Sequence, residues 1–359
     1  MKTKIVYVLT CSPDGNYIEQ ALIAIWSARY YNPNAHIVLI TDDKTDQLLV
    51  GKRGELLNYI SEKIVIPFDD EQSSMYFRSR MLKTQVRQII SGDFIFIDCD
   101  TVCCKSLEPI DQIDLEVGAA PDDNLSFRED AYYTVTCNLV SKLNCDITRE
   151  DYYYSSGVIV CKETPNAYNL YDLWHKYWID GFLNKSIKPD QPAFAKSNIE
   201  LGHIINVLDI IYNCVLYTQN GALQDAIILH ISFSKSSFLY SERVLGIIRN
   251  EGLTSWIKTC ILDIHATYLP FDYHIKHSSI KQRLQWIVGI SKMARIYGKN
   301  VSRQYEDWGL EVRIAPIIRW LFSYHFFYSG AILWMISRRI TVSKKSNIKA
   351  NTCSIHTNA

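Results

Sequence analysis

The sequence predicts an α/β fold, a mainly parallel central sheet flanked by helices and followed by a helical C-terminal region. Three observations predict it. From residue 5 to residue 66, short apolar runs alternate with stretches of helical period in the order β-α-β-α-β, which a parallel sheet with right-handed crossovers accommodates. Four apolar residues in succession, Phe94-Ile95-Phe96-Ile97, read as a strand buried on both faces, as the strands of such a sheet are. That run leads into Asp98-Cys99-Asp100, acids at the carboxyl end of a strand, where open α/β sheets bind their ligands.

The elements follow in order. Residues 5–10 form the first strand, and Cys11-Ser12-Pro13-Asp14-Gly15-Asn16 is the turn-rich loop after it. From 17 to 31 the apolar residues Ile18, Ala21, Leu22, Ile25, Trp26 and Ala28 recur at helical spacing, and Asn32-Pro33 ends the run. Residues 36–41 are a second strand, 45–63 a polar helix and 64–66 a brief third strand. A loop spans 67–81, and 81–90 reads as a helix that leads into the Asp98 strand. Arg80, Lys83 and Arg87 share one face there, either a solvated stripe or one that reaches a nucleotide phosphate or sugar hydroxyl. An aromatic and small-residue turn at 152–157 precedes another buried strand; Gly157 marks a bulge or a close approach to a ligand. Residues 166–179 form an amphipathic helix with Leu170, Leu173, Trp174 and Tyr177 inward, and Pro189-Asp190-Gln191-Pro192 precedes a helical 193–196. Asp190 there is a helix N-cap or a site residue. Residues 227–235 place His230 at the end of a further strand, with Lys235 five positions later.

Composition sets the class. Hydrophobic residues make up 48% and charged residues 21%, with 38 Lys+Arg against 38 Asp+Glu; this excludes wholesale disorder and a strongly basic nucleic-acid binder. Ten cysteines without a C-x-x-C pair suit reduced, partly buried thiols of a cytoplasmic protein. The apolar start at residues 5–9 is too short for a secretory leader and reads as the first strand.

Asp98 and Asp100 project to the same side of the chain because side chains alternate. Two neighbouring carboxylates repel, and a hard divalent ion with oxygen ligands relieves them. Such an ion bridges the phosphates of a nucleotide and neutralises a diphosphate leaving group.

Taken together these pieces resemble the nucleotide-sugar glycosyltransferases of the GT-A (Rossmann-like) fold, and most closely the retaining glycosyltransferase family 8, over roughly residues 4–237. In that family a Tyr in the loop after the first strand stacks on uracil, and Tyr17 in Asp14-Gly15-Asn16-Tyr17 matches it. The family's Asp-x-Asp is matched by Asp98-Cys99-Asp100, and His230 with Lys235 stands for its His-x-x-Gly-x-x-Lys-Pro-Trp, whose Gly, Pro and Trp are absent here. Ser155-Ser156-Gly157 replaces its Asn-Ala-Gly, and Asp190-Gln191 matches its Asp-Gln pair beside the transferred sugar.

The resemblance implies a metal-dependent hexosyltransferase with a UDP-sugar donor and a saccharide acceptor, acting with retention. Asp98, Asp100 and His230 would hold Mn2+ or Mg2+. Tyr17, Lys83, Asp98, Ser156 and Lys235 would contact the nucleotide-sugar, and Asp190 or Gln191 would face the cationic sugar. A sugar-1-phosphate nucleotidyltransferase of the same fold would want basic residues in the 11–16 loop, which has none. A catalytically silent carbohydrate-binding protein would keep the fold without the chemistry.

The expected organisation is a catalytic domain at 1–240, a helical region at 241–345 and a disordered tail at 346–359. Residues 320–337 are aromatic-rich and lack formal charges, while Arg313, Arg319, Arg338, Arg339, Lys344 and Lys345 flank them. The stretch is marginal against the roughly 20 apolar residues of a spanning helix. It reads either as interfacial helices on the inner leaflet, which suits a lipid-linked or lipopolysaccharide acceptor, or as a helical subdomain packed on the catalytic core.

Overall fold

Period-two alternation along each strand sends one set of side chains to each face of the sheet, and in this chain both sets are apolar. The computed structural model describes residues 1–68, 74–122, 127–129, 133–215, 225–231 and 239–262. In β1 (Lys4–Leu9), Val6 and Val8 point to one face and Ile5, Tyr7 and Leu9 to the other, all buried. Helix α1 (Tyr17–Tyr31) follows, and β2 (Ile37–Asp42) is buried along its whole length. The predicted polar helix at 45–63 is instead a single turn, α2 (Asp43–Asp46), and a separate 3-10 turn over Arg53–Tyr59. Gly51, with φ of 57°, lies between them in a backbone conformation that breaks a helix. β3 (Glu62–Ile66) closes this half.

The predicted helix at 81–90 begins six residues earlier, because the Ser74 hydroxyl caps the amide of Phe77. It also divides into α3 (Met75–Lys83) and α4 (Val86–Ile89). β4 (Phe94–Ile97) is fully buried, as its unbroken apolar run requires, and β5 (Thr101–Cys103) follows directly. Next come β6 (Val117–Pro121), α5 (Tyr133–Ser141) and β7 (Tyr154–Cys161). The expected turn at 152–157 is thus mostly strand. α6 (Pro165–Asn184) buries Ala167, Leu170, Tyr171, Trp174, Trp178 and Gly181, leaving Leu173 and Tyr177 at the edge of the stripe rather than in it. α7 (Gln191–Glu200) begins two residues before the predicted helix, and β8 (Ile205–Val207), β9 (Cys214–Val215), β10 (Ile228–His230), α8 (Glu242–Glu251) and α9 (Ser255–Leu262) complete the described chain.

The main sheet has seven strands in the order β3-β2-β1-β4-β7-β6-β8. β7 pairs antiparallel with β4 and β6 while the other pairings are parallel, so the sheet is mainly parallel as predicted. The chain leaves β1 toward β2 and β3, then returns to its other side at β4. A crevice opens at the carboxyl ends of β1 and β4, the switch point where such sheets bind ligands. One core packs Val6, Val8, Phe94, Phe96 and Ile159 against Leu82, Leu170, Trp174 and Phe194 of α3, α6 and α7. On the opposite face α1 is buried from Ile18 to Ala28, its buried Glu19 and Ser27 held by hydrogen bonds. β5, β10 and β9 form a second, three-stranded sheet.

The chain divides into two compact units, Met1–His265 and Ala266–Ala359. The second unit, with the 308–345 segment and the expected tail, lies outside the described residues. Among the described residues no helix is long and apolar enough to cross a membrane, and the cysteines are free thiols.

α8 is fastened to the start of α1 by charge. The Glu19 carboxylate, 1% exposed, accepts from Arg53 Nε at 2.7 Å and Arg249 Nε at 3.0 Å. Both guanidiniums also donate to the Gly15 carbonyl, so the loop before Tyr17 is held from two sides. Glu19→Ala should lower stability by about 1–3 kcal/mol, less than the roughly 3–5 kcal/mol of a fully enclosed pair, because Arg249 keeps part of its hydration. A lower urea midpoint at unchanged slope would show it.

Candidate functional site

Two carboxylates end up side by side because β4 stops at Ile97 and a tight turn leads at once into β5 of the second sheet. Asp98 follows the strand, its amide donating to the Gly157 carbonyl at 2.8 Å. Asp100 precedes β5, which runs antiparallel to β10 with Thr101 opposite His230. His230 was expected to end a strand of the main sheet; it belongs to the three-stranded sheet, and the pairing of β10 with β5 carries it to the acids. Its Nε2 lies 3.2 Å from Asp100 Oδ1, and its Nδ1 lies 2.9 Å from Asn213 Oδ1. One donor atom each from Asp98, Asp100 and His230 falls within 4.8 Å of the others.

Gly157 has a specific reason to be glycine. A Cβ there would lie 2.4 Å from His230 Cε1 and 3.2 Å from Asp98 Oδ2, so the missing side chain is the space into which the imidazole fits. Gly157 lies in the stretch of β7 where the pairing with β6 shifts register, so the bulge reading holds, and the close approach it permits is to the His230 ring.

The cations come from α3. Arg78, itself buried, donates to Asp42 Oδ2 at 2.6 Å and fixes the helix to the carboxyl end of β2. Lys83, one helical turn and a half further on, donates to both oxygens of Asp98 at 3.1 and 3.0 Å and stands 3.7 Å from Asp190. Arg80 lies over the Tyr76 ring with Nε 3.6 Å from Asp190 Oδ1. That Nε is buried and has no hydrogen-bond partner, an uncommon state for a native donor and one that an anionic ligand would relieve. The solvated-face reading of this stripe is therefore incorrect. Arg87 is not part of it, since the break after α3 turns it into the core against Phe94 and Tyr168.

Asp190 and Gln191 face the same crevice. Asp190 stands at the N-cap position of α7, but its side chain makes no cap hydrogen bond. Its Oδ2 instead accepts from the Ser156 hydroxyl at 2.9 Å, and its carbonyl accepts from Trp174 Nε1. The N-cap alternative thus fails for the carboxylate. Gln191 donates its Nε2 to Asp122 Oδ2 at 3.0 Å and to the Tyr154 carbonyl at 3.2 Å, which by the planarity of the amide turns Oε1 away from those acceptors. Tyr17 opens α1 with 47% of its surface exposed. Lys235 lies outside the described residues.

Burial and mutual charge divide the titrations. Burial pushes the Asp98 carboxyl up, against the pull of Lys83 and with a further push from Asp100. Burial acts the same way on Asp100, but His230 outweighs it and the group goes down. One carboxyl raised and one lowered is the signature of two acids sharing a site. Burial opposes the charge on His230 and on Lys83, yet their acidic neighbours raise both. Asp190 is lowered because Lys83 and Arg80 overcome its burial. Two carboxylates and an imidazole at this spacing fit a divalent ion such as Mn2+ or Mg2+, with Arg80 and Lys83 placed for an anion bound beside it.

Sequence reasoning missed Asn213 and Asp122, neither of which sits in a motif. Each is recognisable only from its partner, His230 for the first and Gln191 for the second.

No family model matches the chain, and no curated protein matches it. Among solved structures, the chain is similar to mouse xyloside xylosyltransferase 1, with 16% identity, a TM-score of 0.43, and 65% of this chain and 98% of that one covered. It is similar to the galactosyltransferase LgtC in complex with donor and acceptor sugar analogs, with 13% identity, a TM-score of 0.42, and 64% and 87% covered. It is similar to the glycosyltransferase GlyE of Streptococcus pneumoniae TIGR4, with 16% identity, a TM-score of 0.43, and 74% and 63% covered. These are likenesses of chain path; the side chains described above carry the chemistry.

Gly157→Ala should push the His230 ring out of its niche without unfolding the sheet. Affinity for Mn2+, followed by the signal of free Mn2+ in paramagnetic resonance, should fall by about ten-fold or more, which corresponds to roughly 1.4 kcal/mol.

Proposed function

We propose that the protein is a metal-dependent glycosyltransferase that moves a hexose from a UDP-sugar to a saccharide acceptor with retention at the anomeric carbon. The observation that carries this reading is the convergence of Asp98, Asp100 and His230 within 4.8 Å at the switch point of the sheet. Around it stand two cations suited to a diphosphate and an acid-amide pair suited to a sugar. Mn2+ or Mg2+ held by the three residues would supply Lewis-acid stabilisation of the departing diphosphate. Lys83 and Arg80 add positive charge on the leaving-group side, Arg80 with a donor that no protein group satisfies.

The sugar faces Asp190 and Gln191. Asp190 is held by Ser156, Lys83 and Arg80, so its carboxylate stays ionised and oriented rather than free to swing toward the anomeric carbon. It serves to bind hydroxyls of the sugar and to balance the positive charge that develops as the leaving group departs. Gln191, with its amide nitrogen engaged, offers the carbonyl oxygen to the same cationic face. Tyr17 gives the nucleobase an exposed aromatic surface, and its assignment to uracil comes with the family resemblance. UDP-sugars are cytoplasmic, which places the reaction there, with a cell-surface or lipid-linked glycan as the acceptor. Contact with the inner face of the membrane would then fall to residues 308–345.

Calorimetry tests the reading. UDP should bind in the presence of Mn2+ and lose that affinity in EDTA, in Asp98→Ala and in Asp100→Ala; equal affinity with and without the ion overturns it. Tyr17→Ala should weaken UDP by about 1–3 kcal/mol, the usual contribution of a stacked base. Release of UDP from UDP-sugars with Mn2+ separates an enzyme from a silent carbohydrate-binding protein of the same fold.

A further inference from the structure

Each acid of the candidate metal site already faces a cation of the protein. His230 Nε2 approaches Asp100 at 3.2 Å, and Lys83 donates to both oxygens of Asp98. The two contacts differ in kind. The imidazole is itself a metal donor and can exchange its proton for an ion without leaving Asp100's side. An ammonium has three N–H donors and no lone pair, so it can only oppose a divalent ion directed at the same carboxylate. Lys83 is also poorly placed to retreat into water. It is 5% exposed, its ammonium lies over the Phe96 ring at 5.2 Å, and the charged groups around it are Asp98, Asp190 and Arg80, with Asp100 and His230 beyond. What would draw it off Asp98 without stranding its charge is a new anion inside the crevice.

We infer that Lys83 is an internal counter-ion that makes occupation of the metal site depend on the diphosphate. The inference rests on the proposed function and names its regulation. A divalent ion alone meets Lys83 on Asp98 and binds weakly. A nucleoside diphosphate arriving with the ion accepts from the ammonium, which leaves both Asp98 oxygens to the metal. Because Lys83 also stands near Asp190, its shift alters the charge beside the group assigned to the sugar, so that nucleotide, ion and sugar positions are set together. A chain of this kind does not hold the ion idle before the nucleotide arrives.

Three titrations with the full chain test this, reading free Mn2+ by paramagnetic resonance and UDP by calorimetry. In the native protein Mn2+ alone should bind at least about ten-fold more weakly than Mn2+ with saturating UDP. Lys83→Met, which keeps the aliphatic packing, should bind Mn2+ alone more tightly than the native protein and show a smaller enhancement by UDP. Lys83→Arg, which keeps the charge, should retain the native enhancement. Native affinity for Mn2+ that is the same with and without UDP overturns the inference even if Lys83→Met does not fold, and so does an unchanged Mn2+ affinity in a folded Lys83→Met. Failure of the native protein to bind Mn2+ or UDP under any condition would instead overturn the glycosyltransferase reading itself.

Discussion

Two carboxylates fixed side by side must be neutralised, and the architecture around the crevice follows from that requirement. Asp98 and Asp100 are placed by the tight turn that joins β4 to β5, with no room for the chain to separate them. They keep 30% and 31% of their side chains exposed, and each takes a positive or donating partner. One comes from β10, delivered by pairing with β5 across a small second sheet. The other comes from α3, which the buried Arg78–Asp42 ion pair holds against the end of β2. Glycine at position 157 leaves the gap through which the imidazole reaches the acids. Removing any of these features would leave buried charge without compensation, a larger penalty than the loss of one contact.

The side around Asp190 and Gln191 uses the same economy of charge. Asp190 is shared among Ser156, Lys83 and Arg80, while Asp122 engages the nitrogen of Gln191. Lys83 belongs to both halves, since its ammonium lies between Asp98 and Asp190. The Asp98 half and the Asp190 half of the crevice therefore form one electrostatic unit. α8 extends this to the far side of the loop before Tyr17, where Arg249 and Arg53 converge on Glu19 and Gly15.

Much of this was legible in the sequence where the signal is local. The alternation of apolar runs and helical periods located β1, α1, β2 and β3, and an unbroken apolar run ending in acids located β4 with Asp98 and Asp100. Features that depend on pairing between distant segments were not legible. Nothing around Thr101 or His230 announces that they face each other in a separate sheet. The start of α3 was readable from Ser74 as an N-cap but was masked by the polar stretch before it, and its end at Thr84 carries no glycine or proline. For Asp190 the local pattern pointed to a cap as readily as to a site, and only the positions of Ser156, Lys83 and Arg80 separate the two. Asn213 and Asp122 act on His230 and Gln191, far away in sequence.

The central claim is that one divalent ion is shared by His230, the acidic pair and the diphosphate of a nucleotide. Pulsed paramagnetic resonance of Mn2+ in the presence of UDP tests it most directly. The account predicts a nitrogen coupling from the His230 imidazole together with a phosphorus coupling from the nucleotide on the same ion, the nitrogen signal disappearing in His230→Ala. A phosphorus coupling with no imidazole nitrogen in the native protein would contradict it.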